Sequence, residues 1–170
     1  MMKEKICIFP NDSLRDYFEK GEIKYGYFNP CNFFDEVHVI SLFDDEIEAE
    51  KVSQLAGKGK LIIHNIQKVN LTNYHSFEKK IEKIISQINP QIIRAFNPLV
   101  QGWLATKIGK KNGIPVVISV HTNYNQQREL LKKERKYFKF LKLSYTSKKI
   151  ETYCLKNADS IICVYEFIVP

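Results

Sequence analysis

The chain has 170 residues, 44% of them apolar and 26% charged, and carries a formal net charge of +7. That length suits a single domain whose core needs no disulfide or metal staple, and no apolar run approaches the roughly 20 residues that span a bilayer. The first apolar run, Ile6–Phe9, is too short for the core of a secretory signal, and the four cysteines show no Cys-x-x-Cys spacing. Reduced thiols in a cytoplasmic protein are therefore expected.

Lys5–Phe9 is the first predicted strand, broken by Pro10-Asn11-Asp12-Ser13, which offers helix caps to a short helix over Ser13–Lys20. Lys20–Asn32 is rich in Gly, Tyr and Asn and is left as an unassigned loop. Strand two covers Glu36–Leu42 and leads to an acidic patch at Asp44, Asp45, Glu46 and Glu48. Strand three is Leu61–His64. Ser76–Ile88 is an amphipathic helix, because Phe77, Ile81, Ile84, Ile85 and Ile88 recur at helical spacing. Asn89-Pro90 ends it, and Gln91–Phe96 is strand four. Asn97 is then expected at the N-cap, with Pro98 in the first turn of a helix running to about Asn112.

Gly113 suits the left-handed position after that helix, and Pro115 permits only extended chain. Val116–Val120 follows without apolar/polar alternation, as in a strand buried on both faces of a parallel sheet. A basic helical segment, a helix over Lys148–Lys156 and strand six at Ser160–Val164 complete the pattern. Strands alternating with helices predict an α/β, three-layer, Rossmann-like domain with a mainly parallel sheet, covering residues 1–170 as one unit.

Ligands of such sheets bind beyond the carboxyl ends of the strands. The residues expected there are Asn11, Ser41 with Asp44 and Asp45, His64-Asn65, Asn97, His121-Thr122-Asn123 and Tyr165-Glu166. This set of neutral hydrogen-bonding groups with a few carboxylates suits a polyhydroxylated ligand, although loop Asn and Asp serve equally as caps. His121 follows five buried residues yet lies at the ligand edge, where it can exchange a proton near neutral pH. A histidine satisfied within the structure is the competing reading. His38, in mid-strand, is read as structural.

No His/Cys/Asp spacing matches zinc, so no metal site is expected. Gly57-Lys58-Gly59-Lys60 precedes strand three on the wrong side of the sheet and lacks both phosphate-loop patterns, which leaves a surface turn. A Gly-x-Ser-x-Gly elbow is also lacking. No cofactor is expected in the chain itself.

The charge is localised. Arg128–Lys149 holds nine basic and two acidic residues, a net +7, so the remainder balances. Arg128, Lys132, Arg135, Lys136, Lys139 and Lys142 fall at three- and four-residue steps and are expected on one helical face beside Leu131, Phe138, Leu141 and Tyr145. A basic face next to aromatic residues can rest on anionic lipid. Nucleic acid is not expected, since charge confined to one helix comes without a recognition motif.

Ile92–Pro98, then Gly113–Thr122, then Asn157–Val164 resemble the amino-terminal domains of family 4 glycosyltransferases. Those domains carry a Pro-Val-Val-x-(Ser/Thr)-x-His strand followed by an Ala-Asp-x-Ile segment. The resemblance spans roughly Gln91 to Val169 and implies one half of a GT-B architecture: an acceptor-side domain facing a second domain that holds a nucleotide-sugar. It implies that His121 contacts the sugar or acceptor as the catalytic residue. Asn97 and Thr122 are implied as cleft residues, and Asn123, Glu166 and Asn11 are carried with them as substrate-binding candidates. It further implies a sugar or lipid-linked acceptor, and a peripheral place at the inner face of the membrane through Lys132, Arg135, Lys136, Lys139 and Lys142. Where the family carries a Gly-Gly turn, Gly21 and Gly26 are separated by four residues. The Glu-x7-Glu donor element has no counterpart, so these residues alone are not expected to complete transfer. A sugar-nucleotide 2-epimerase half and a binding module without chemistry are the alternatives. The sequence does not set the oligomeric state.

Overall fold

The computed structural model of the chain describes residues 3–43, 46–70 and 72–164. Six parallel strands form one sheet in the order β3-β2-β1-β4-β5-β6. They are β1 (Lys5–Phe9), β2 (Glu36–Ser41), β3 (Lys60–Asn65), β4 (Ile92–Ala95), β5 (Val116–Val120) and β6 (Ser160–Cys163). The strand order reverses between β1 and β4. That is the topological switch point of a doubly wound fold, and a crevice opens beyond the carboxyl ends of those two strands.

Helices α3 (Tyr74–Ile88) and α4 (Val100–Asn112) cover one face. Ile81, Ile85 and Ile88 of α3 pack with Leu104 and Ile108 of α4 on Phe9, Ile93 and Ile118 of the sheet. The other face packs Ile8, Val37 and Val39 against Leu14 and Tyr17 of α1 (Leu14–Glu19), Val52 of α2 (Ala49–Val52) and Phe28. Gly113 does take the left-handed conformation at the end of α4, at φ 67°. Asn89 does the same after α3, at φ 49°.

The loop over Lys20–Asn32 is anchored from within. Asn29 is fully buried; its Nδ2 donates to the carbonyls of Phe34 at 2.9 Å and Ala56 at 3.0 Å, and its Oδ1 accepts from the Phe34 amide at 3.0 Å. An irregular segment can be buried only when its polar groups are paired in this way.

Three sequence expectations are corrected. First, α4 starts at Val100 with Leu99 at its N-cap, so Asn97 does not cap it. Asn97 instead makes a two-residue turn, its Oδ1 accepting from the Leu99 amide at 2.9 Å. A Cβ on Gly102 would come within 2.4 Å of the Asn97 carbonyl oxygen, so glycine permits this close approach.

Second, the basic segment is not one helix. It forms α5 (Tyr124–Lys133) and α6 (Tyr137–Thr146), separated by Arg135 at φ 56°. The Lys136 amide donates to the Leu131 carbonyl and the Arg135 amide to that of Lys132, the paired bonds of a Schellman stop. Third, Ser147–Glu151 is a π-helical turn, and α7 covers only Thr152–Asn157.

Candidate functional site

The crevice at the switch point is built from both sides of the strand-order reversal. Asn97, after β4, is 3% exposed and donates through Nδ2 to Asn11 Oδ1, after β1, at 2.9 Å. This amide pair joins the two segments that leave the paired ends of β1 and β4. A pocket of about 160 Å³ opens beside it, lined by Asn11, Asp12, Tyr17, Glu22, Tyr27, Phe96 and His121.

His121 stands one residue past β5 and stacks on Phe96, with ring centroids 5.6 Å apart and planes 17° from parallel. Its Nε2 is shielded from solvent and has no hydrogen-bond partner among the described residues. Burial, and then the charge of Arg94, hold the imidazole below its ordinary value of 6.5. The ring is therefore neutral at neutral pH and can accept or donate one hydrogen bond through Nε2.

Phe96 is the hub of the wall, with Tyr27 and Phe28 each 5.4 Å away between ring centroids. The guanidinium of Arg94 lies over its ring at 4.5 Å. Burial raises the Tyr17 hydroxyl well above the usual phenol range, so it stays protonated as a donor.

Of the residues proposed from sequence, Asn11 and His121 line this pocket, and Asn97 sits beside it through its hydrogen bond to Asn11. Thr122 is half-buried beside His121. Asn123 caps α5, its Oδ1 accepting from the Gln126 amide at 3.0 Å. It lines a separate groove of about 520 Å³ with Asn125, Gln126, Arg128, Glu129, Phe140 and Ser144. Glu166, Tyr165, Asp44 and Asp45 lie outside the described residues.

Ser41 is buried. His64 and Asn65, on the far edge strand β3, do not reach the pocket. His64 pairs with His38 instead, Nε2 to Nδ1 at 3.0 Å, and burial and that neighbour push its pKa down to about 4. Among the described residues no group of three or more His, Cys, Asp or Glu could hold a metal ion.

Sequence reasoning missed Arg94, Phe96, Tyr17, Glu22 and Tyr27. Arg94 in β4 and Phe96 just past it are two residues apart, so an extended chain puts both on one face. Nothing local placed the loop residues Glu22 and Tyr27.

The expected basic face is divided. Arg128 is 9% exposed and turned inward, its two terminal nitrogens each 3.1 Å from Glu151 Oε2 and one of them 3.0 Å from Asn125 Oδ1. Lys132, Arg135, Lys136 and Lys139 are exposed around the α5–α6 corner, with Leu130, Tyr137, Leu141, Tyr145 and the 83%-exposed Phe138 among them. The side chain of Lys142 lies outside the description. No helix among the described residues is long and apolar enough to cross a membrane.

An all-parallel doubly wound sheet with a polar crevice at its switch point defines a Rossmann-like α/β domain. The model of Glycosyltransferase Family 4 matches residues 35–169, and the chain belongs to that family. No curated protein matches the sequence.

Similar solved structures include a protein assigned as UDP-N-acetylglucosamine 2-epimerase from Listeria monocytogenes. It is 13% identical with a TM-score of 0.46, over 70% of this chain and 32% of that one. The C-terminal domain of a hydrogenase from Pyrococcus furiosus is 10% identical with a TM-score of 0.44, over 69% of this chain and 94% of that one. The chain thus spans about a third of the length of the first of these.

Proposed function

We propose that this domain binds the acceptor in a glycosyltransferase of GT-B architecture that moves a sugar from a nucleotide-sugar to an acceptor hydroxyl. In this reading a second domain holds the donor. The observation that carries it is His121, a neutral imidazole whose Nε2 is dry and unpartnered at the edge of a polar crevice. An acceptor hydroxyl admitted to that shielded nitrogen by a local shift of the lining side chains would complete its hydrogen bonding and be oriented for attack, while the Asn11–Asn97 pair and Tyr17 offer further polar contacts.

In a sugar-transfer assay of the complete natural polypeptide, His121→Ala should lower turnover about a hundredfold, the smaller end of what a positioned acid–base group supplies. The acid limb of the pH profile should lie below 6.5, because burial favours the neutral ring. Unchanged turnover in a folded variant would remove His121 from the reaction.

The α5–α6 corner is read as the surface that rests on anionic lipid at the cytoplasmic face of a membrane, near a lipid-linked acceptor. Exposed lysines interleaved with exposed aromatic rings support this, each basic residue contributing about 1 kcal/mol at such a surface. Reversing Lys132, Lys136 and Lys139 to Glu together should weaken sedimentation with phosphatidylserine vesicles at least a hundredfold, on that same per-residue scale. Equal pelleting of parent and variant would end the lipid reading.

A further inference from the structure

We infer that the acceptor carries an anionic group, a carboxylate or a phosphate, and that Arg94 is the residue that selects it. This rests on the reading of the switch-point crevice as the acceptor site.

Arg94 projects from β4 on the face shared with Phe96, Ser119 and His121, since it pairs in register with Val117. Its Nε donates to Ser119 Oγ at 2.9 Å, and its guanidinium carbon lies 4.5 Å above the Phe96 ring. Those two contacts fix the plane of the fork. Both terminal nitrogens are left without a hydrogen bond or a carboxylate among the described residues. Neither is closed off from solvent, because the buried side-chain atoms without a partner are those of Trp103, Thr106 and His121.

The contrast with Arg128 is informative. That arginine is the more deeply buried, at 9% exposed against a half-buried Arg94, and Glu151 neutralises it at 3.1 Å. A partly desolvated guanidinium without a counter-ion is costly, and its planar fork fits a carboxylate or phosphate in two parallel bonds. Burial lowers the Arg94 pKa from its ordinary value, and only the phenols of Tyr27 and Tyr17 act against that.

The charges around the pocket orient the ligand. Arg94 does not itself line the pocket; its guanidinium lies 4.5 Å over the ring of Phe96, which does, and its charge acts on the lining residue His121. The carboxylates Asp12 and Glu22, by contrast, are part of the lining. Asp12 is shared with Lys20 at 3.6 Å. An anionic group therefore settles toward β4 and β5, with hydroxyls toward Asp12, Glu22 and Asn11.

The test titrates the chain with glucuronate, glucose 6-phosphate and glucose, following the His121 ring by NMR. Both anions should bind at least tenfold more tightly than glucose, as charge-assisted bonds do over neutral contacts. A response to glucuronate alone or to glucose 6-phosphate alone supports the inference and names the anion. Arg94→Gln should abolish the preference, and Arg94→Lys should keep a reduced one.

Equal binding of glucose and the anions overturns the inference, as does a preference that survives Arg94→Gln, or no response to any of the three. An anion preference that depends on Arg94, found together with wild-type turnover in His121→Ala, would uphold the anion site and sink the proposed catalytic role instead.

Discussion

Phe96→Ala should cost about 4 kcal/mol of stability, within the usual range for deleting a buried aromatic ring. The ring is 1% exposed and packs against Phe28, Tyr27 and His121, with Arg94 over its face. Removal leaves a cavity among side chains held by separate strands and a loop, which cannot all close in. For a chain of this size the melting temperature should fall by roughly 10 °C.

Phe96→Leu should recover much of that loss through apolar volume alone. It should not restore the stacked position of His121, which needs a flat face. Denaturant unfolding of both variants, with the His121 ring resonances as the local readout, checks the two halves separately. A loss below about 1 kcal/mol for the alanine variant would mean that the wall collapses freely, and the claim that Phe96 positions the histidine would fail.

Glu151→Ala should destabilise the chain by about 3 kcal/mol, the low end for removing one partner of an interior ion pair. The side chains of Arg128 and Glu151 are 10% and 15% exposed, and both terminal nitrogens of the arginine face one carboxylate oxygen. Truncating Glu151 strands the guanidinium between α5 and the π-helical turn. Most of the cost is that unpaired charge, so replacing both residues by apolar ones, Arg128→Met with Glu151→Leu, should cost far less.

Thermal unfolding of the single and double variants distinguishes the two outcomes. If the double variant loses as much as Glu151→Ala, the pair contributes net stability and the uncompensated-charge account is wrong. The consequence for function is spatial. Asn123 opens α5 directly after His121 and Thr122, so the pair that holds α5 in place also holds the margin of the crevice.

The sequence by itself determined the sheet. Buried apolar runs at Ile6–Phe9, Val37–Ile40 and Val116–Val120, separated by Gly, Pro and Asn punctuation, have few other ways to satisfy backbone hydrogen bonds and burial together. The end of α4 at Gly113 and the amphipathic α3 were legible for the same reason, since the deciding physics lies within a few neighbouring residues. Asn11, Asn97 and His121 could be named because any parallel sheet of this order gathers its strand ends at one edge.

Only the tertiary structure decided the rest. Lys132–Lys136 contains good helix formers and no glycine, so nothing local announced the stop at Arg135, whose left-handed backbone is held by its Schellman bonds. The same fold turned Arg128 inward to Glu151 and away from the basic surface. It also brought Glu22 and Tyr27, from a loop without periodicity, into the pocket lining with Phe96 and His121. These choices depend on contacts between residues far apart in the chain, made once strands and loops have been packed, and no local pattern encodes them.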